Sequence, residues 1–311
     1  MLFCVGRGWA QDVAVTEDAV PPPAVPAQKD SEEVSTPVEK DAEKEDARDR
    51  VLYSTESERV VPLTKKLARN LLMDQKDIWT SPFHMSRRDG ISWLIIGGTV
   101  GGLIASDHWS ANRLPNTVDQ VTISQDVSQL GAQYTILPIT AGLYISGAIF
   151  HNAKARETGI LGGEAVLDSM IVVGAMKVIL RRARPLEDNG SGSFFSGGSS
   201  FPSGHAAQSF ALASVVAHEY NKNLIYPVTA YGLAALVSFS RLSGQKHFAS
   251  DVVAGSAIGW YIGRYVFKTH VDHSIHMRPP SKLSQLKPQA FPQFDAATRT
   301  RGVVLSWSQA R

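Results

Sequence analysis

The first cluster of residues that could do chemistry is the segment KVILRRARP, which carries Lys177 and Arg184 seven positions apart. On an α-helix this spacing is two turns, so both cationic side chains would lie on nearly one face, about 10 Å apart along the axis. Pro185 is expected to end the helix. Two long cations so placed can reach a single anion. The alternative is a lysine extending to a helix end and a solvated basic patch.

The second cluster is PSGH, in which Ser203 and Gly204 stand where a helix is predicted to begin, at about His205. The first backbone N–H groups of a helix have no partner within it, and its dipole favours an anion at that end. Turn chemistry with a serine cap is the alternative interpretation.

The third cluster is SRLSGQKHFASD, in which Arg241 precedes His247 and Asp251. Residues four apart on a helix face each other, so the Asp251 carboxylate can accept a hydrogen bond from one imidazole nitrogen of His247. The other nitrogen then stays free. A surface pair or half of a metal site is the alternative, although no further metal-type ligand stands nearby in the sequence.

Taken together, the clusters supply fixed cations, an anion-binding helix start and two histidines. This set suits phosphoryl transfer without a metal, which needs cations for the equatorial oxygens, a nucleophile and an acid. We therefore expect no cofactor.

The clusters also resemble the three signature motifs of the type 2 phosphatidic acid phosphatase superfamily, which includes bacterial non-specific acid phosphatases and vanadium-dependent haloperoxidases. KxxxxxxRP is matched by Lys177, Arg184 and Pro185, PSGH by 202–205, and SRxxxxxHxxxD by 240–251. The resemblance covers about 160–267 closely and says nothing about 1–90 or the end of the chain.

The resemblance implies residue roles. His247 would attack phosphorus to form a phosphohistidine, with Asp251 orienting it. His205 would protonate the leaving oxygen and later activate water. The phosphate would be held by Lys177, Arg184, Arg241, Ser203 and the Gly204 amide.

The implied activity is hydrolysis of a phosphomonoester or pyrophosphate, with a phosphorylated lipid as the leading substrate. The alternatives are a soluble periplasmic non-specific acid phosphatase for small phosphoesters and a vanadate-dependent haloperoxidase.

Six apolar stretches must position these residues: 91–106, 134–150, 160–180, 205–220, 224–239 and 251–267. Their alanine and leucine content, length and small-residue spacing favour helices over strands. We predict an all-α fold, a six-helix bundle of the phosphatidic acid phosphatase/haloperoxidase type over 91–267, with a long loop at 107–133.

Whether the bundle crosses a membrane is left open by the sequence. Most stretches are shorter than a typical span and the third carries Glu164 and Asp168, whereas the glycine and alanine patterns suit packing in lipid. Basic residues precede the first stretch and follow the second: Lys65, Lys66, Arg69, Arg87, Arg88, Lys154 and Arg156. This placement predicts a multi-pass inner-membrane protein with cytoplasmic ends and a site facing the periplasm or exterior. A soluble or peripheral periplasmic protein is the alternative.

The flanks carry little chemistry. Residues 1–60 are predicted to be disordered, with 1–10 either a remnant of a secretion signal or an ordinary start. Residues 61–90 form a basic lead-in and 268–311 a polar basic tail. His270, His273 and His276 in this tail have a spacing that could attract a metal, but their polar surroundings argue against a metal site. The net charge of +2 and the lack of an aromatic-basic module argue against nucleic acid, and Cys4 is the only cysteine. The sequence does not indicate an oligomeric state.

Overall fold

The computed structural model describes residues 63–272 together with two strands near the end of the chain. The helices are α1 Leu63–Thr80, α2 Arg87–Arg113, α3 Val118–Gln129, α4 Gln133–Ile149, α5 Ala153–Leu180, α6 Gly204–Glu219, α7 Ile225–Ser243 and α8 Ala249–His270. A 3-10 turn, Ser81–Phe83, follows α1. Strands β1 Gln289–Asp295 and β2 Thr300–Ser306 pair antiparallel.

Each of the six predicted apolar stretches forms a helix, namely α2 and α4 to α8, which confirms the all-α bundle. The prediction of a long loop at 107–133 is wrong, because α2 continues to Arg113 and α3 occupies Val118–Gln129. Helix α1 lies in the segment that the sequence suggested only as a basic lead-in, and the strands lie in the segment described as a tail. The expected disorder at 1–60 falls outside the described residues.

Close packing of α6 against α8 fixes the centre of the bundle. A Cβ atom at Gly255 would lie 2.4 Å from the carbonyl oxygen of Ser203, and a Cβ atom at Gly259 would lie 2.0 Å from the carbonyl oxygen of Ala207. Only glycine allows two helices to approach so closely. The starts of α6 and α8 are therefore held side by side.

Local signals set the two helix ends that matter most for the site. Arg181 adopts a left-handed conformation with φ of 43° and ends α5. At the start of α8, the Asp251 carboxylate accepts a hydrogen bond from the Phe248 backbone N–H at 2.9 Å. This is the reciprocal half of a capping box, so Asp251 helps begin the helix that carries it.

The outer faces of several helices are apolar. Ile145 and Ile149 on α4 and Leu233 and Phe239 on α7 are each more than half exposed. Among the described residues, α2 is the one helix whose length and composition would allow it to cross a membrane. Large exposed apolar surfaces mark contact with a membrane or another protein.

Candidate active site

The three motifs meet at one end of the bundle, where α5 and α7 end and α6 and α8 begin. The Ser203 N–H donates to the Asp251 carbonyl at 3.0 Å, which joins the second motif to the third. His205 lies within electrostatic range of His247 and of three cations, Lys177, Arg184 and Arg241. The structure thus brings the eight predicted residues to one place.

His247 lies in the turn between α7 and α8 and is 3% exposed. Its Nδ1 is 3.4 Å from Oδ2 of Asp251, a close approach without the angles of a good hydrogen bond. Burial lowers the pKa of His247 to about 4, although the Asp251 carboxylate acts in the opposite direction. The imidazole is therefore neutral at physiological pH, the form with a free nitrogen lone pair.

Asp251 is held from several sides. Its Oδ2 accepts hydrogen bonds from the Ser200 hydroxyl at 2.5 Å and the Phe248 N–H at 2.9 Å. Its Oδ1 accepts from Nη1 of Arg182 at 2.7 Å. With both oxygens engaged, the carboxylate has a fixed orientation beside His247.

The loop between α5 and α6 folds back along the end of α5. The Phe195 N–H donates to the Leu180 carbonyl at 2.8 Å, and the Ser200 N–H to the Arg182 carbonyl at 2.8 Å. This pairing places Ser199 so that its hydroxyl accepts from Nη2 of Arg184 at 3.2 Å and its carbonyl accepts from Nζ of Lys177. Ser199 and Ser200 lie outside the motif patterns, and in the sequence they are part of a glycine-serine loop before the second motif.

Helix α3, which the sequence does not predict, also contributes to the site. Nη1 of Arg241 donates to the hydroxyl of buried Ser128 at 2.9 Å. The contact spans 113 positions of the chain. No local pattern in the sequence could have indicated it.

Several polar atoms at this end have no protein partner. Within residues 63–272, the buried side-chain atoms without a hydrogen-bond partner include Nε of Arg184, Nε of Arg241 and Oγ of Ser203. Buried donors are rarely left unpaired, and guanidinium groups match the oxygens of a phosphate well. The arrangement can therefore bind a tetrahedral oxyanion between His205 and His247.

Of the three tail histidines, at which the sequence does not favour a metal site, one is described, His270. Its Nε2 lies 3.0 Å from both carboxylate oxygens of Asp74 and 3.9 Å from Glu164. These side chains are close enough together to hold a metal ion. Glu164 precedes Lys177 by thirteen residues on α5, about 20 Å along the helix, so this group is separate from the phosphate motifs. His273 and His276 lie outside the described residues.

Comparisons with known proteins agree with this geometry. Residues 160–274 match the model of the PAP2 superfamily. The chain is 34% identical over 131 residues to a lipid A 1-phosphatase of Porphyromonas gingivalis, a match that covers 41% of this chain and 28% of that protein. It is 32% identical over 71 residues to a lipid A 4'-phosphatase of the same organism, covering 23% of this chain and 30% of that protein. The matches thus span less than a third of either relative.

A solved structure is also similar, that of a transmembrane PAP2-type phosphatidylglycerolphosphate phosphatase from Bacillus subtilis. It is 22% identical with a TM-score of 0.46, and the match covers 57% of this chain and 92% of that chain. The family-model match includes all three motifs that meet at the end of the bundle. Through residues 160–274, the chain is similar to the PAP2 superfamily.

Proposed function

We propose that this protein is a metal-independent phosphatase that hydrolyses a phosphomonoester or pyrophosphate on a lipid through a phosphohistidine intermediate. One observation carries the proposal. Neutral, buried His247 lies beside Asp251 at the bundle end where His205 and the cations gather, and two of those cations have unpartnered Nε donors.

In the first step, the free ring nitrogen of His247 attacks phosphorus. The phosphorus–nitrogen bond forms as the bond to the leaving oxygen breaks. His205, which takes up a proton when the negatively charged phosphate lies beside it, gives that proton to the leaving oxygen. Asp251 stabilises the positive charge that develops on His247. Lys177, Arg184 and Arg241 stabilise the charge on the equatorial oxygens.

In the second step, neutral His205 takes a proton from water as the water oxygen attacks phosphorus. The phosphorus–nitrogen bond breaks, inorganic phosphate leaves and His247 returns to its starting state. His205 is protonated again, ready for the next substrate molecule.

A lipid substrate is supported by the surface of the bundle and by its relatives. The exposed apolar faces of α4 and α7 suit a hydrocarbon environment, and α2 is long enough to span one. The two relatives named above are phosphatases of lipid A, so its 1- and 4'-phosphates are the first substrates to test.

The substrate experiment measures phosphate release by purified protein in detergent. The panel contains 1- and 4'-phosphorylated lipid A, phosphatidate, phosphatidylglycerophosphate, undecaprenyl diphosphate, glycerol 3-phosphate and p-nitrophenyl phosphate, with His247→Ala as the control. We expect kcat/KM for one lipid to exceed that for every soluble ester by at least about tenfold, since apolar contacts add transition-state binding. Equal or better turnover of soluble esters would favour a soluble acid phosphatase.

We further propose that the protein is multi-pass and that the site faces the periplasm or exterior. The basic residues of the sequence argument do not all contribute: Lys66 and Arg156 are buried, and Lys154 lies 3.6 Å from Glu219. Four of them are exposed: Lys65 and Arg69 on α1, and Arg87 and Arg88 in the first turn of α2. These residues lie before or at the start of α2, the end of this helix that is far from the motifs. Their positive charge supports a cytoplasmic location for that end.

A reporter fused after Arg311 tests this orientation. The proposal expects a fluorescent GFP fusion and an inactive alkaline phosphatase fusion, because the end of the chain would be cytoplasmic. The reverse pattern would overturn the six-span arrangement and support an exported protein.

A further inference from the structure

Arg182 lies outside the three motif patterns, yet it is one of the most buried side chains near the site, with 1% exposure. Its Nη1 donates to Oδ1 of Asp251 at 2.7 Å and to the Ser250 hydroxyl at 2.6 Å. Its Nη2 donates to Oδ2 of Asp107 at 2.9 Å, and its Nε to the Gly192 carbonyl at 3.0 Å. One guanidinium group therefore joins two carboxylates, from α2 and from α8.

Aromatic rings hold the same guanidinium in place. Its central carbon lies 4.3 Å from the ring centroid of Phe248 and 4.8 Å from that of Phe194. Arginine stacks well on aromatic rings, and its planar fork is suited to two carboxylate partners at once. The side chain is thus confined to one orientation.

Asp107 is fixed just as firmly from the other side. Besides Arg182, it accepts hydrogen bonds from the Ser250 N–H at 3.3 Å and from the Ser250 hydroxyl. It is 1% exposed. Because the two carboxylates of Asp107 and Asp251 share the single guanidinium of Arg182, these three side chains together keep a net negative charge. This charge can stabilise a positive charge on the neighbouring imidazole.

We propose that Arg182, anchored by Asp107, is a positioning residue for the nucleophile His247, acting through Asp251. The proposal rests on the proposed phosphatase function and adds to it. Arg182 occupies Oδ1 of Asp251, which leaves Oδ2 as the oxygen that faces Nδ1 of His247. Asp251 can stabilise the developing imidazolium only while it is ionised and turned this way.

The test separates positioning from phosphate binding and from simple structural support. Arg182→Lys keeps the charge, but a single ammonium group cannot reproduce the planar fork between Asp107 and Asp251. Arg181→Lys is the matched control, because Arg181 is the adjacent arginine and its side chain is exposed. Asp107→Asn is a second test variant of nearly unchanged shape.

Four quantities are measured per folded molecule: kcat, the rate of phosphohistidine formation in a single turnover, KM, and the dissociation constant for vanadate. For Arg182→Lys, we expect the first two to fall by about tenfold to a hundredfold, the range found when outer partners of an active-site group are lost. Asp107→Asn should show a smaller loss. Vanadate affinity and KM should stay within about twofold, since Arg182 does not touch the phosphate.

Normal rates of phosphohistidine formation in both variants would overturn the proposal and leave Arg182 as a structural tie. A parallel loss of vanadate affinity would also overturn it, by assigning Arg182 to phosphate binding. If Arg182→Lys does not fold, Asp107→Asn decides: an unchanged rate contradicts the proposal. Failure of the proposed function is distinct, because the unaltered protein would then form no phosphoenzyme at all.

Discussion

Nη1 of Arg241 donates a hydrogen bond to the Ser128 hydroxyl at 2.9 Å, so helix α3 holds a cation that belongs to the end of α7. The hydroxyl in turn donates to the Gln125 carbonyl at 2.8 Å, which directs its oxygen toward the guanidinium. Nε of Arg241 remains without a partner. A short polar helix thus orients one of the groups that we propose to bind phosphate.

Ser128→Ala should therefore weaken substrate binding. A hydrogen bond to a charged group contributes about 1.5–3 kcal/mol, so we expect KM to rise by about tenfold or more while kcat changes less. Steady-state kinetics on the preferred substrate measure this. Ser124→Ala is the control, because Ser124 contacts Ser243 and not Arg241. Equal effects of the two changes would show that Ser128 acts only on folding.

The buried position of His247 predicts an unusual titration. Because burial lowers the pKa of this imidazole to about 4, it should stay neutral as the pH falls through the ordinary histidine range. NMR titration of histidine-labelled protein, with His247→Gln to assign the signal, should give a midpoint near 4. A midpoint at or above the ordinary value of about 6.5 would show that the imidazole is not held neutral by its surroundings.

The same shift has a consequence for stability. The unfolded chain binds a proton on this residue below about pH 6.5, while the folded chain does so only below about 4. Between these limits the unfolded state binds more protons, so this group's contribution to stability falls as the pH drops. His247→Gln should show a shallower loss of melting temperature between pH 6.5 and 4 than the unaltered protein. Identical slopes would argue against the shift.

The proposed role of His205 as the acid can be tested with leaving groups of different basicity. His205→Ala should lower turnover of an alkyl phosphate far more than that of p-nitrophenyl phosphate, because a stable departing anion needs no proton. Measurement of kcat on both substrates gives the two losses directly. Losses of the same size would mean that His205 does not protonate the leaving oxygen.

The source of positive charge at the site predicts the response to chelators and to vanadate. Lys177, Arg184 and Arg241 are proposed to stabilise the transferring group, so activity should survive EDTA, and vanadate should inhibit as a mimic of the five-coordinate transition state. Phosphate release with and without each reagent checks this. Loss of activity in EDTA that Mg²⁺ or Zn²⁺ restores would contradict the proposed chemistry.

The helices that could be predicted from the sequence are those with apolar faces. Helix α1 was not predicted because its buried positions include Lys66, Asn70 and Asp74. Helix α3 was not predicted because it buries Ser124 and Ser128. Apolar periodicity assigns polar residues to the solvent side, so a helix whose buried positions are mainly polar gives no such pattern. Both helices nevertheless make specific contacts with the bundle.

Some residues of the candidate site could likewise be predicted from the sequence, and others could not. The motif residues could be identified because each group is compact in sequence and suits one helix end. Arg182 could not be distinguished from its neighbour Arg181, since its partner Asp107 lies 75 positions earlier. Only the fold shows which of three nearby arginines is buried between two carboxylates.

The most direct test of the mechanism is the identity of the phosphorylated residue during turnover. Protein quenched in base after mixing with labelled substrate should carry one acid-labile phosphate, which mass spectrometry assigns to His247. His247→Ala should carry none, and His205→Ala should accumulate the phosphoenzyme made from an activated ester, because water is then no longer activated. Phosphate found on another residue, or full turnover by His247→Ala, would contradict the account.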